Sequence, residues 1–377
     1  MQTYGRTSVS EFLGDLIVYR NLKPVDARLP GLADLRAEIG IPANVTPRKS
    51  EREYARVMAL LLRAARALDA PSTSLARIVY VGDTRLLDQT AFTYLCKATR
   101  CPGMAFIGSE TGDDPAVEME EIDAGTIFQA NRWELLSDFD ALCRDYDFRI
   151  DRRTAVVIDL DKTTLGARGR NDAQIDAARV AAVRRTVDAL LGEAFRPGVF
   201  QAAYETLNRP EFHPFTGDNQ DYLAYVCLIV SSGLVRLGPL VNDVRDGTLT
   251  DFAHFIAEVD ARAADLPADL RALHSDIAAR VQQGDPTPFK AFRYNEYRET
   301  VGRMGQMDDA ASAADLLAGE IVITQEVREM ALKWRDQGAL LFGLSDKPDE
   351  ASLPPADLAA QGYQPIHRTV THAAGAG

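Results

Sequence analysis

The sequence predicts an α/β protein: a doubly wound parallel sheet interrupted by a long helical insertion. Its short apolar runs, Ile78–Val81, Met104–Gly108, Ala155–Ile158 and Ala339–Leu344, lack the alternation of a half-exposed strand and read as strands buried on both faces. Helical periodicity stands between them, clearest in Tyr54, Val57, Met58, Leu61, Leu62, Ala65 and Leu68. From about Ile175 to Ala318 the pattern is almost wholly helical, broken at Pro197, Pro210, Pro214, Pro239, Pro267 and Pro286. Residues 1–165 and 324–377 are therefore expected to form two parts of one α/β domain, with 166–323 as an inserted helical domain.

Residues 1–48 carry Pro24, Pro30, Pro42 and Pro47, which argues against long elements there. Ser50 and Glu53 have the spacing of a capping box for a helix over 51–68, and Lys49 stands just before it. The run Ile78–Val81 ends in Gly82-Asp83-Thr84-Arg85-Leu86-Leu87-Asp88, ahead of a helix expected from Thr90. Residues 109–153 read as a connector with one helix near Trp133 and Phe139. Ala167–Asp172 reads as a mobile polar loop whose Arg168 and Arg170 could gate a site. Leu223–Val230 reads as a core helix segment, and Phe292–Arg298 as an exposed helix face. Thr324 is expected to cap a helix through Val327, Met330, Ala331 and Trp334 that Gly338 stops. Ile366–Val370 is the last expected strand, before a small-residue tail expected to fray.

Composition narrows the function. A 46% hydrophobic, 26% charged chain has the balance of an ordinary globular protein. A net charge of -13 argues against nucleic acid and against anionic lipid as partners. No apolar run reaches membrane-spanning length, and Asp15 interrupts the apolar stretch near the start, where a secretory signal would need continuity. Cys96, Cys101, Cys143 and Cys227 lack paired spacing and nearby histidines, as expected of buried thiols in a reducing, cytoplasmic setting. The five histidines form no recognisable dyad.

The chemistry-bearing stretch is Thr154–Asp161, continuing through Lys162-Thr163-Thr164-Leu165-Gly166. Its strand ends in Asp159 and Asp161, at the carboxyl edge where open α/β sheets bind ligands. Taken alone, that pattern also fits a strand running into a polar turn. Likewise Lys49, taken alone, reads better as a solvated loop lysine, and Asp83 or Asp88 reads singly as a helix cap.

Asp159-Leu160-Asp161-Lys162-Thr163 resembles the nucleophile motif of the haloacid-dehalogenase-like phosphohydrolases. Leu344-Ser345-Asp346-Lys347-Pro348 is similar to that family's second motif, Lys49 to its basic third, and Gly82-Asp83 with Asp88 to its acidic fourth. The family runs nucleophile, Ser/Thr, Lys, acid; here the order is Lys49, Asp83/Asp88, Asp159/Asp161, Ser345. That is the same circle opened elsewhere, so the resemblance implies a Rossmann-like, circularly permuted sheet domain. It also implies a C1-type helical cap entering after the nucleophile.

The implied chemistry is Mg²⁺-dependent hydrolysis of a small phosphorylated metabolite. Asp159 would be the nucleophile that forms an aspartyl-phosphate, and Asp161 the general acid and base. Ser345 would bind the phosphoryl oxygens, and Lys49 would hold Asp159 ionised. The resemblance assigns the metal to Asp159, Asp161, Asp83 and Asp88, the last directly or through water. Phosphotransfer or phosphonate cleavage is the near alternative, the latter needing a cap lysine such as Lys290. A non-catalytic binding or regulatory protein is the distant one.

Overall fold

The buried apolar runs stand side by side in a seven-stranded sheet. The computed structural model describes residues 1–377. Its strands are β1 (Gln2–Thr7), β2 (Ile17–Val18), β3 (Arg77–Gly82), β4 (Gly103–Gly108), β5 (Val117–Ile122), β6 (Gly125–Ala130), β7 (Thr154–Asp159), β8 (Ile323–Thr324), β9 (Leu340–Leu344) and β10 (Thr371–Gly375). The large sheet has the order β2-β9-β7-β3-β4-β6-β5, and only the β5–β6 pair is antiparallel. The chain thus has an α/β fold with a mostly parallel sheet, a small second sheet and a helical region.

The pleat sends alternate side chains to opposite faces, and each face has its own cover. Ile78, Tyr80, Ala105, Ile107, Val157 and Phe342 pack with Tyr54, Val57, Leu61, Leu62, Phe92 and Leu95 from helices Arg52–Asp69 and Arg85–Thr99. Phe106 points the other way. It meets Phe128, Trp133 and Phe139, and Phe139 in turn meets Trp334, from helices Leu136–Asp145 and Gln325–Asp336. β4, β7 and β9 are buried along their whole length, which accounts for their unbroken apolar character.

Several local expectations are corrected. Residues 109–153 contribute a hairpin, β5 and β6, that extends the sheet by two strands. The C-terminal stretch does not fray: Thr371–Gly375 is the buried middle strand of a β1-β10-β8 sheet, while Ile366–Arg368 is a single 3-10 turn. His372 helps hold β10, being hydrogen-bonded to buried Glu320 and, at 3.1 Å, to Asp309. Ser50 and Glu53 make no capping box; the helix starts at Arg52, and Glu51 instead accepts a 2.9 Å bond from the Arg48 amide.

The chain divides into two compact units, Met1–Ala178 with Thr300–Gly377, and Arg179–Glu299. Residues 166–178 and 300–323 thus cluster with the sheet. The second unit is all-helical and wraps Gln220–Ser231, whose Leu223–Val230 segment is entirely buried. The stretch Phe292–Arg298 is not an exposed face, because Phe292, Arg293, Glu296 and Tyr297 are all buried. Arg293 pairs with Asp221 and Glu296, so its charge is satisfied internally. Burial pushes the Asp221 carboxyl up to about 6 against the pull of that arginine. No helix is long and apolar enough to cross a membrane.

Candidate functional site

Because β9, β7 and β3 are adjacent and parallel, their carboxyl ends open on one edge. Asp159 ends β7, Asp83 follows β3, and Ser345 follows Leu344, the register partner of Asp159. After Asp159 the chain turns back tightly. Lys162 and Gly166 have positive φ, and the Leu165 amide donates to the Leu160 carbonyl at 2.9 Å. Two buried threonines pin this turn to the strand end. Thr164 Oγ1 donates to the Asp159 carbonyl at 2.7 Å, and Thr163 Oγ1 to Asp159 Oδ2 at 3.1 Å. The turn is held from outside by Thr324, whose Oγ1 donates to the Thr163 carbonyl at 2.5 Å and whose amide donates to the Thr164 carbonyl at 2.9 Å.

Lys49 reaches this edge from the segment before helix Arg52–Asp69. Its Nζ lies 2.6 Å from Asp159 Oδ1 and also contacts Asp88 Oδ1, with all three side chains buried. Helix Arg85–Thr99 begins a turn earlier than the sequence suggests, so Asp88 lies in its first turn. There its Oδ2 accepts from the Asp83 and Thr84 amides at 3.0 and 2.8 Å, while Oδ1 accepts from the Tyr80 hydroxyl at 2.8 Å. Asp88 therefore has donors on both oxygens and serves as the anchor of Lys49. Asp83 is less engaged: Thr84 Oγ1 donates to Oδ1 at 3.2 Å, and Arg168 Nε donates to Oδ2.

Ligand oxygens of Asp83, Asp88 and Asp159 lie within 4.8 Å of one another. Burial raises the Asp159 carboxyl well above its ordinary range; Lys49 opposes this, but Asp88 and Asp83 add to it. Burial and neighbouring Asp88 push Asp83 up to about 6, despite Arg168. Asp88 goes the other way: burial would raise it, but Lys49, the Thr84 amide and Tyr80 hold it below the usual carboxylate range. Lys49 is the group that favours the ionised form of Asp159, as the resemblance implies for it. Three carboxylates face two built-in cations, Lys49 and Arg168. Clustered, buried carboxylate oxygens with such an excess fit a hard divalent cation, and the buried triad could hold one.

No family model, characterised protein or solved structure matches the chain. The residues themselves carry the functional reading.

The remaining expected residues are placed as follows. Asp161 stands outside the buried triad, partly exposed, with Lys347 Nζ 3.8 Å from its Oδ1. Ser345 is fully buried, and its Oγ accepts a 3.0 Å bond from the Lys347 amide. Lys290 lies in the helical unit, where its Nζ donates to Thr287 at 2.8 Å and pairs with Asp285. Ala167–Asp172 is not a loose loop, since Arg170 is buried between Glu110 and Glu326 and Asn171 bonds the carbonyls of Leu317 and Glu320.

Two tyrosines escaped the sequence reading. Tyr80 orients Asp88, and Tyr54 lies fully buried with an unpartnered hydroxyl in the field of Asp346, Lys49 and Asp159. Both sit at apolar core positions, where only the three-dimensional neighbourhood reveals a polar duty. A cavity of about 690 Å³ opens elsewhere, lined by Leu16, Arg28, Leu68, Arg152, Arg335 and Leu340, and includes none of the acidic cluster.

Proposed function

We propose that this chain is a circularly permuted haloacid-dehalogenase-like phosphohydrolase that cleaves a small phosphomonoester with Mg²⁺. One observation carries the reading: Lys49, far upstream in sequence, lies 2.6 Å from Asp159 and also on Asp88, beside Asp83. A buried lysine shared by a strand-end and a helix-start carboxylate supports a built site over a coincidence of acidic turns. The adjacency of the Ser345, Asp159 and Asp83 strands supports a permuted order of motifs around one edge.

On this reading Asp83 and Asp159 would hold the cation, with Asp88 as the fixed support of Lys49. When bound, the cation neutralises the carboxylates and the phosphoryl oxygens. An Asp159 oxygen attacks phosphorus, the bond to the ester oxygen breaks, and the leaving oxygen takes a proton from Asp161. Water then gives a proton to Asp161 and attacks the aspartyl-phosphate, releasing phosphate and restoring the Asp159 carboxylate. On the same reading the Ser345 hydroxyl, and Lys347 close to Asp161, would bind phosphoryl oxygens. The helical unit is inserted in sequence between Asp161 and Ser345, and we assign it the choice of leaving group.

The test is hydrolysis of an aryl phosphate with and without Mg²⁺, in wild type and Asp159→Asn. Metal-dependent turnover absent from the variant is expected. Where the artificial ester is refused, beryllium fluoride binding to wild type replaces turnover as the readout. A protein that neither turns over the ester nor binds beryllium fluoride would be a binding protein instead.

A further inference from the structure

The acidic cluster already contains a cation that chemistry does not need in that place. Arg168 donates through Nε to Asp83 Oδ2 and through Nη2 to Thr84 Oγ1 at 3.3 Å. Its backbone is held independently of its side chain. The Arg168 amide donates to the Lys162 carbonyl at 2.8 Å, and its carbonyl accepts from the Glu110 amide at 2.9 Å and Trp133 Nε1 at 3.2 Å. Gly169 fixes the next step, because it has a φ of +78° and a Cβ there would lie 1.9 Å from the Glu110 carbonyl oxygen. The main chain is pinned, whereas the side chain is about a third exposed and has solvent to swing into.

We propose that Arg168 is an internal cation that holds Asp83 until a divalent metal displaces it, and that this competition sets the metal affinity of the site. The proposal rests on reading the acidic cluster as a metal centre. A carboxylate oxygen cannot face a guanidinium and a divalent ion at full strength, since the two cations repel at close range. Of the three carboxylates, Asp88 is saturated by amides, Tyr80 and Lys49, and Asp159 is held by buried Lys49. Asp83 is the one whose charged partner can leave. The partly exposed Arg168 is therefore the cation that yields, and buried Lys49 the one that stays. The buried, unpartnered Tyr54 hydroxyl, in the electrostatic field of Lys49 and Asp159, marks the same neighbourhood as one with unmet polar capacity.

Apparent affinity falls by the fraction of molecules in the competent state, so removing a competitor tightens binding. The experiment is titration of the full chain with Mn²⁺, followed by its paramagnetic resonance signal, for wild type, Arg168→Gln, Arg168→Lys and Asp83→Asn. Folding is checked by the fluorescence of buried Trp133 and Trp334. Arg168→Gln is expected to bind Mn²⁺ about tenfold more tightly, Arg168→Lys close to wild type, and Asp83→Asn far more weakly. In parallel, Mg²⁺ should shift the Arg168 Nε–H resonance, identified by its absence from Arg168→Lys. Equal or weaker binding by Arg168→Gln, with clear binding by wild type, would overturn the competition while leaving the metal centre standing. Absence of Mn²⁺ binding in both would overturn the metal centre and the competition with it.

Discussion

Replacing Lys49 by Met removes one charge and keeps the length of the stem, so the variant isolates electrostatics from packing. Lys49 lies 2.6 Å from Asp159, touches Asp88, and is fully buried with both. At an effective dielectric near 20, a pair this close has a gross attraction on the order of 6 kcal/mol, most of it offset by desolvation. What the substitution exposes is the residue of that balance, two buried carboxylates without their cation, which costs about 3–5 kcal/mol. The penalty should grow with pH. In wild type Asp88 is depressed, so its contribution is present above the unfolded value of about 3.9 and is lost as pH falls through the folded one. In the variant the same carboxyl is raised, so stability falls as pH rises from its unfolded toward its folded value. The wild-type trend lies below about pH 4, so above it the gap widens through the variant alone, by up to about 1.4 kcal/mol per pH unit for each extra proton held by its native state. The assay is urea denaturation in chelator at pH 5 and pH 8. The chain's two tryptophans, Trp133 and Trp334, both belong to the sheet unit, so their fluorescence reports that unit without the helical one. A penalty below about 1 kcal/mol, or one that does not change between the two pH values, would refute the reasoning.

Asn171→Ala removes donors to the Leu317 and Glu320 carbonyls and the acceptor of the Val322 amide; a loss of about 2–4 kcal/mol and faster hydrogen exchange at Val322 are expected by urea titration and amide exchange. Tyr54→Phe deletes a buried hydroxyl that has no partner, so stability without ligand should stay within about 1 kcal/mol of wild type or rise. A larger loss in the same titration would mean that the hydroxyl is satisfied.

The parts of the fold legible in the sequence are those buried on both faces. β3, β4, β7 and β9 had to be continuous apolar runs because helices cover both sides of them, and the strand-end carboxylates stood out against that background. The strands that escaped notice have the opposite character. β5 is an exposed, glutamate-rich edge, β1 is polar and exposed, and β10 is made of small residues whose partners lie at the other end of the chain. A strand that buries few large apolar side chains leaves no apolar run or alternation in the sequence. The same limit applies to the site. Asp83, Asp88, Asp159 and Lys49 could be picked out by residue type at element edges. That Asp88 supports Lys49, and that Arg168 sits on Asp83, depends on where a helix starts and how a pinned turn aims one side chain.

The small sheet makes the proposed permutation directly testable. β1 and β10 are antiparallel neighbours, with Gln2 opposite Gly375, so the residues at the two ends of this chain lie side by side. A flexible link of about four to six residues would join them without strain. Tyr146 and Asp147 are exposed, between helix Leu136–Asp145 and β7, so a cut between them interrupts neither element. The rearranged chain would run from Asp147 to Gly377, through the link, and on from Met1 to Tyr146. Its site residues would come in the order Asp159, Asp161, Ser345, Lys49, Asp83, Asp88, which is the family's ordinary order. Every strand pairing and every contact of Lys49 is kept, so the rearranged protein should fold and bind Mn²⁺ with wild-type affinity. An insoluble product, or a soluble one with intact tryptophan fluorescence that no longer binds metal, would mean that the order of the segments is not neutral. The site would then depend on a connection that this rearrangement severs.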